Sequence, residues 1–335
     1  MDDVFGGKAL SHPKKVLQVL QDPVQVWPAT VHIGPMAGCN HDCVWCSDLE
    51  YRRKYPGYLP LKEFVPVLHE FAAVGVMSVV WIGSGEPTYH PQFSQLVDAA
   101  AEAGLVQGCV TNGSRFPVDK IQLFEWVRVS LDAGRPETHK KLHVVSDHDR
   151  VMGNLQQMAA NKGDTVVGVS YLLCEDNAAE LPALVQTLDE WGVDYIQIKR
   201  LASTQRYTAL PVDLETGFET KQLQVIDDVA ATKGGNAGLP CWASSMNTVI
   251  APTGDVMLCC RLSNTGRDEE AKLGNIFEMG SFSAVWTGER RAEVVRRFQD
   301  PKVTRSCPTC WMTQFNVQID RLQKNKVARK SLLFV

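Results

Sequence analysis

The chain has 335 residues, enough for one large domain or two ordinary ones around a sizeable core. A net charge of −4 with no long basic run argues against a nucleic-acid partner, and the longest apolar stretch, 71–82, is too short to cross a bilayer. No basic-then-apolar N-terminal signature of secretion is visible, so ten cysteines point to metal binding rather than disulfides, in a cytoplasmic, reducing setting.

A polar, proline-containing lead-in runs to about Pro28. Beyond it, apolar runs and amphipathic stretches alternate. Strands are expected at 31–37, 78–84, 106–112, 126–132, 166–173 and 195–201. Helices are expected at 61–74, 93–103, near 120–124, at 150–161 and at 178–191. Strands alternating with helices specify a parallel sheet built from right-handed crossovers. The rhythm then changes. Residues 214–233 read as one long helix, 247–251 and 256–260 as a hairpin around Pro252-Thr253-Gly254-Asp255, 282–298 as a helix, and the basic tail to Lys330 as helical. The division expected is an N-terminal extension over 1–28, a main domain over 29–235 and a small C-terminal domain over 236–335.

Cys39, Cys43 and Cys46 lie in Cys-Asn-His-Asp-Cys-Val-Trp-Cys, directly after the first expected strand. Three thiolates are one short of a closed zinc site and suit a four-iron cluster with one iron open to another ligand. A zinc knuckle completed elsewhere, for instance by His41, is the alternative. Cys241, Cys259, Cys307 and Cys310 make a second set, from a hairpin and a Cys-Pro-Thr-Cys turn, which spacing alone leaves open between zinc and a second cluster. Gly83-Ser84-Gly85-Glu86-Pro87 follows the second strand, where glycines admit close backbone approach. Asn112 ends the third strand. Ser130 and Asp132 end the fourth and, two apart on a strand, would share a face. Lys199 and Arg200 close the sixth, where a cation could neutralise an anion. Cys260 follows Cys259 on an expected strand, which would turn the two thiols to opposite faces. Cys109 and Cys174 read as packing residues. The charged loop 48–54 and Tyr89-His90 are weaker substrate candidates.

The first triplet resembles that of the radical S-adenosylmethionine (SAM) superfamily, and Trp45 fits the aromatic that family carries before its third cysteine. Gly83 to Pro87 resembles its Gly-Gly-Glu-Pro segment, with Ser84 standing between the two glycines. Cys241, Gly254, Cys259, Leu273-Gly274-Asn275-Ile276, Trp286 and Cys307 to Cys310 are similar to the twitch domain, a shortened SPASM domain. The resemblance implies a partial (β/α)6 TIM-type barrel with a C-terminal α+β auxiliary-cluster domain. It implies SAM, two [4Fe-4S] clusters and a flavodoxin- or ferredoxin-type electron donor as cofactors and partner. By the same resemblance, Trp45, Gly83, Ser84, Gly85, Glu86, Pro87, Asn112, Ser130, Asp132, Lys199 and Arg200 would surround SAM.

Such an enzyme splits SAM to a 5′-deoxyadenosyl radical that takes hydrogen from substrate. The short lead-in favours a small polar substrate over a peptide. The leading expectation is hydrogen abstraction from a hydroxyl-bearing carbon of a sugar, aminocyclitol or nucleoside in natural-product, for instance antibiotic, biosynthesis, oxidised through the auxiliary cluster. Redox-neutral epimerisation with Cys260 as hydrogen donor, or loss of carboxylate or hydroxyl, is the second expectation, and peptide maturation the third. A non-catalytic zinc protein is the alternative from a different class.

Overall fold

The computed structural model describes residues 12–200, 206–208, 217–227, 238–263, 266–307, 310 and 312–325. Its strands are β1 (Thr30–Ile33), β2 (Ser78–Trp81), β3 (Val106–Thr111), β4 (Trp126–Ser130), β5 (Val166–Leu173), β6 (Tyr195–Arg200), β7 (Gln224–Asp227), β8 (Asn247–Ile250), β9 (Asp255–Met257) and β10 (Lys272–Asn275). Two compact units share them. One comprises Met1–Ile33, Lys62–Ser78 and Lys233–Val335, the other Gly34–Leu61 and Val79–Thr232. The units alternate along the chain.

The second unit runs in the order β2-β3-β4-β5-β6-β7. From β3 to β7 every pairing is parallel, with Cys109 opposite Val127, Val129 opposite Val169 and Ile196 opposite Val225. Helices bury apolar faces on it: Phe93, Leu96, Val97 and Ala100 recur at helical spacing in Phe93–Glu102, and Leu184, Val185 and Leu188 in Leu181–Glu190. Strands covered on both faces read as near-continuous apolar runs, as Val166–Leu173 does. This is the expected α/β fold, a partial β/α barrel with a small mixed C-terminal domain.

The first unit orders its strands β10-β9-β8-β1. The expected hairpin β8–β9 forms, β10 adds antiparallel to β9, and β8 pairs parallel with β1, Thr30 opposite Asn247. Gly254 turns the hairpin at φ +83°, a conformation that favours glycine, and a Cβ there would lie 2.5 Å from the Phe277 ring. The lead-in is not a tail: Pro13–Gln21 is helical, and Val16, Val19 and Leu20 bury against Trp242, Phe315 and Ile319.

Several expected elements differ. Residues 217–227 contain no helix, and Gln224–Asp227 is a seventh parallel strand. The Asp189 carboxylate accepts from Lys221 N, Gln222 N and Leu223 N at 2.8–2.9 Å, which takes three successive N–H groups a helix would need. The rest of 214–233 lies outside the described residues. The helix over 282–298 is two, Phe282–Trp286 and Glu289–Phe298, because Gly288 is extended and caps the second. The fourth strand stops at Ser130, and β9 stops at Met257, so Cys260 opens a four-residue helix, Cys260–Ser263, rather than extending a strand. The charged loop 48–54 contains the helix Leu49–Lys54. The basic tail is helical over Thr313–Lys324, and its last residues lie outside those described. Among the described residues no helix is long and apolar enough to cross a membrane.

Candidate functional site

The loop that follows β1 carries Cys39, Cys43 and Cys46, all half-buried. Its backbone is pinned by the glycine segment after β2. Gly85 N donates to Met36 O at 3.0 Å and Glu86 N to Gly38 O at 2.9 Å. The approach demands glycine: a Cβ on Gly85 would lie 2.1 Å from Gly38 O and 2.5 Å from Ala37 O, and one on Gly83 would lie 2.0 Å from Gly85 O. Gly85 thus serves contact with the cysteine loop, and Gly83 lets the glycine segment fold tightly on itself.

Glu86 is buried, and its carboxylate accepts four hydrogen bonds. Oε1 takes Thr88 N at 3.1 Å, Thr88 Oγ1 at 2.7 Å and Thr111 Oγ1 at 2.6 Å, while Oε2 takes Asn112 N at 2.8 Å. The carboxylate therefore braces the ends of β2 and β3 against each other. Asn112 follows on: its Nδ2 donates to Asn40 Oδ1 at 3.0 Å and lies 4.0 Å from Cys39 Sγ. Pro87 opens a short 3₁₀ turn and is buried, whereas Ser84 is half-buried.

Beside the loop lies a buried histidine cluster that the sequence reading missed. His143 Nδ1 is 3.3 Å from both Cys43 Sγ and His41 Nδ1, and His143 Nε2 is 3.2 Å from Asp132 Oδ2. Asp147 accepts from Ser114 Oγ at 2.6 Å and pairs with His41 Nε2 at 3.1 Å and His139 Nε2 at 2.9 Å. The rings of His139 and His143 stack 4.4 Å apart and 9° from parallel. The available signal was His139 and His143 at i, i+4, which places both on one helix face.

Burial alone would raise the Cys43 thiol, but His143 and His41 outweigh it and draw it down to about 7. Burial pushes Cys39 up to about 12, with Glu86 adding to it, and raises Cys46 as well. Cys43 is therefore the thiol most ready to ligate, since thiolate is the ligand form.

The second set belongs to the other unit. Cys241 N donates to Phe298 O at 2.9 Å, and Cys241 O accepts from Ser244 Oγ at 2.6 Å and Gln299 Nε2 at 3.1 Å. Burial pushes the Cys241 thiol up to about 12, and the charges of Cys259 and Cys310 add to this. Cys307 is likewise raised by burial and then by Cys259 and Cys310. Four thiols that repel one another as thiolates form a donor set that a cationic metal group relieves.

Two family models match the chain: the radical SAM superfamily over residues 33–188, and an iron–sulfur cluster-binding domain, SPASM, over residues 241–311. The chain carries a radical SAM domain. Among curated relatives, the mycofactocin maturase MftC of Mycobacterium tuberculosis is 26% identical over 296 residues, covering 81% of this chain and 73% of that protein. A SAM-dependent nucleotide dehydratase of Lacinutrix mariniflava is 30% identical over 112 residues, 31% of this chain and 23% of that protein. Among solved structures, SuiB of Streptococcus suis bound to S-adenosylmethionine shares the fold at a TM-score of 0.62 and 15% identity, covering 97% of this chain and 81% of that one.

The radical SAM domain brings with it SAM and a [4Fe-4S] cluster, and the SPASM domain an auxiliary iron–sulfur cluster. The residues present fit both: one loop offers three thiols with one drawn toward the acidic form, and Cys241, Cys259, Cys307 and Cys310 lie within electrostatic reach of one another. The zinc alternatives fall away with these matches.

The remaining expected SAM residues divide. Ser130 closes β4 half-buried, and Lys199 and Arg200 close β6. Asp132 does not stand beside Ser130 as a ribose ligand would. It lies past the strand end, buried, with Oδ1 accepting from Leu172 N at 2.7 Å and Oδ2 turned to His143. Trp45 is buried edge-on to His143 and Tyr207, ring centroids 5.9 Å away in each case. His90 uses both nitrogens on backbone, Leu59 O and Gln92 N, so it has none left for substrate. Cys109 and Cys174 are fully buried, as expected of packing residues. Arg206 went unanticipated; its guanidinium donates to both Asp42 carboxylate oxygens at 2.9 Å, on the cysteine loop itself.

Proposed function

We propose that the chain is a radical SAM maturase that oxidises a carbon of a residue carried on a peptide. The observation that carries this reading is likeness to mycofactocin maturases over 81% of this chain and 73% of theirs, whereas likeness to the nucleotide dehydratase spans 31%. This reverses the preference that a short lead-in gave to a small substrate.

In this reading Cys39, Cys43 and Cys46 hold the SAM-binding cluster, and Cys241, Cys259, Cys307 and Cys310 hold the auxiliary one. When bound, SAM and the first cluster supply a 5′-deoxyadenosyl radical that takes a hydrogen atom from carbon. The backbone from Gly83 to Pro87 receives the methionine ammonium, Ser130 reaches the ribose, and Lys199 or Arg200 balances a carboxylate. Gly85 and Glu86 hold the cysteine loop and the ends of β2 and β3 in register for this. Cys241, Cys259, Cys307 and Cys310 would hold a group able to take the substrate radical's remaining electron, with its proton released to solvent, which would complete a two-electron oxidation. A flavodoxin- or ferredoxin-type protein supplies the starting electron.

The test is anaerobic reconstitution with iron, sulfide, SAM and a candidate precursor peptide encoded beside this gene. The reading expects 5′-deoxyadenosine together with a peptide lighter by two hydrogens or more. Formation of 5′-deoxyadenosine with unchanged product mass would overturn the oxidation and favour redox-neutral chemistry. In that event deuterium uptake from heavy water, abolished in Cys260→Ala, identifies Cys260 as hydrogen donor. Turnover of a sugar, aminocyclitol or nucleoside in place of the peptide would restore the second reading, a small hydroxyl-bearing substrate, which the dehydratase match favours.

A further inference from the structure

The helix Pro136–His143 is built around Cys43. Its last two carbonyls accept from the cysteine loop on either side of that residue, Leu142 O from Val44 N at 3.0 Å and His143 O from Asp42 N at 3.1 Å. The helix ends there because Val144 takes φ 59°, ψ 35°, a left-handed conformation that β-branched residues adopt rarely. With the backbone so placed, the buried His143 ring is brought to Cys43 Sγ.

Partners assign the protons around this ring. His41 Nε2 faces the Asp147 carboxylate, which accepts only, so His41 donates there and turns a lone pair at Nδ1 toward His143 Nδ1. His143 Nε2 faces the Asp132 carboxylate, and its Nδ1 faces the His41 lone pair and the Cys43 sulfur. Both neighbours of Nδ1 are acceptors, so Nδ1 carries a proton, while Nε2 stands in ion-pair range of Asp132 without a hydrogen bond. Asp132 is itself fixed by Leu172 N at 2.7 Å, and His139 stacks flat on the ring.

Resting on the reading that Cys43 ligates the SAM-binding cluster, we propose that His143 is a positioning residue. It holds an N–H···S hydrogen bond to Cys43 and thereby raises that cluster's reduction potential. Hydrogen bonds to cluster sulfurs tune the potential because they stabilise the extra negative charge of the reduced state. Asp132, in ion-pair range of Nε2, places a negative charge on the far side of the ring from Cys43.

The experiment is a potentiometric titration of the full reconstituted chain, following by electron paramagnetic resonance the reduced signal that changes when SAM is added. His143→Phe keeps an aromatic ring without donors. Its reduction equilibrium should fall about tenfold, which is about 59 mV for one electron. His143→Asn keeps an amide N–H near the Nδ1 position and should fall between the two. Wild-type potential in His143→Phe would overturn the proposal; should that variant hold no cluster, wild-type potential in His143→Asn would do so. Absence of any SAM-responsive signal from the wild-type chain would instead overturn the placement of the SAM-binding cluster on Cys39, Cys43 and Cys46.

Discussion

Glu86 shows how a residue can sit in a ligand-binding motif and act through structure. Its carboxylate gathers four donors from the 3₁₀ turn after β2 and the end of β3, so the protein's own hydrogen bonds stand in for water around it. Glu86→Gln keeps the shape but turns an amide N–H toward one of those donors. A loss of about 2 kcal/mol is expected, as for a hydrogen bond to a charged group, and thermal unfolding measures it. Asp255 makes the corresponding case in the other unit. Burial would raise its carboxyl, but Lys272, Asn275 and Thr253 hold it below the ordinary carboxylate range. A depressed folded value contributes stability above the unfolded pKa of about 3.9 and loses it as pH falls through the folded one. Asp255→Asn should therefore melt lower than the parent at pH 7, with the gap narrowing below about pH 4. A constant gap from pH 7 to pH 3 would contradict the ion pair with Lys272.

At the scale of elements, the segment before β1 is held by side chains remote in sequence. Arg291 is buried, lies 3.7 Å from the Trp286 ring and donates to Val24 O at 2.6 Å and Val26 O at 3.2 Å. Burial draws its guanidinium down to about 10, and Trp286 Nε1 adds a donor to Val26 O at 2.8 Å. Arg291→Met would leave Val24 O without its side-chain donor and Val26 O with Trp286 Nε1 alone. A cost of about 2–3 kcal/mol is expected, read as faster protease cleavage around residues 22–28. The sequence made the helices with aliphatic stripes legible, among them 61–74 and 93–103, because a period near 3.6 is visible in Leu, Val and Phe. It hid Pro136–His143, whose buried face is His139, Leu142 and His143, histidines where periodicity looks for aliphatics. It hid β7 for a different reason: the competitor to a helix at 217–227 is a carboxylate more than thirty residues upstream.

At the scale of the molecule, both cysteine sets and the parallel alternation were readable, since metal spacing and strand length are local properties. The partition into units was not, because it depends on pairings such as β1 with β8 and burial of 13–21 against 313–324. The two-cluster assignment makes a simple count: roughly eight irons per reconstituted chain, four in each [4Fe-4S] cluster. The triple variant Cys39→Ala, Cys43→Ala, Cys46→Ala should retain roughly four with its auxiliary absorption intact. Loss of all iron from that variant would contradict independent sites. The parallel pairing of Thr30 with Asn247 also has a bearing on biosynthesis. More than two hundred residues separate the partners, so at 5–20 residues per second the strand leading into the first cysteine loop leaves the ribosome about 10–40 s before its mate exists. During that interval Cys39, Cys43 and Cys46 hang from an unpaired edge in a nascent chain, open to stray metal and oxidant. Slowing translation late in the message is therefore expected to lower iron occupancy at this loop, read by iron analysis of the purified chain.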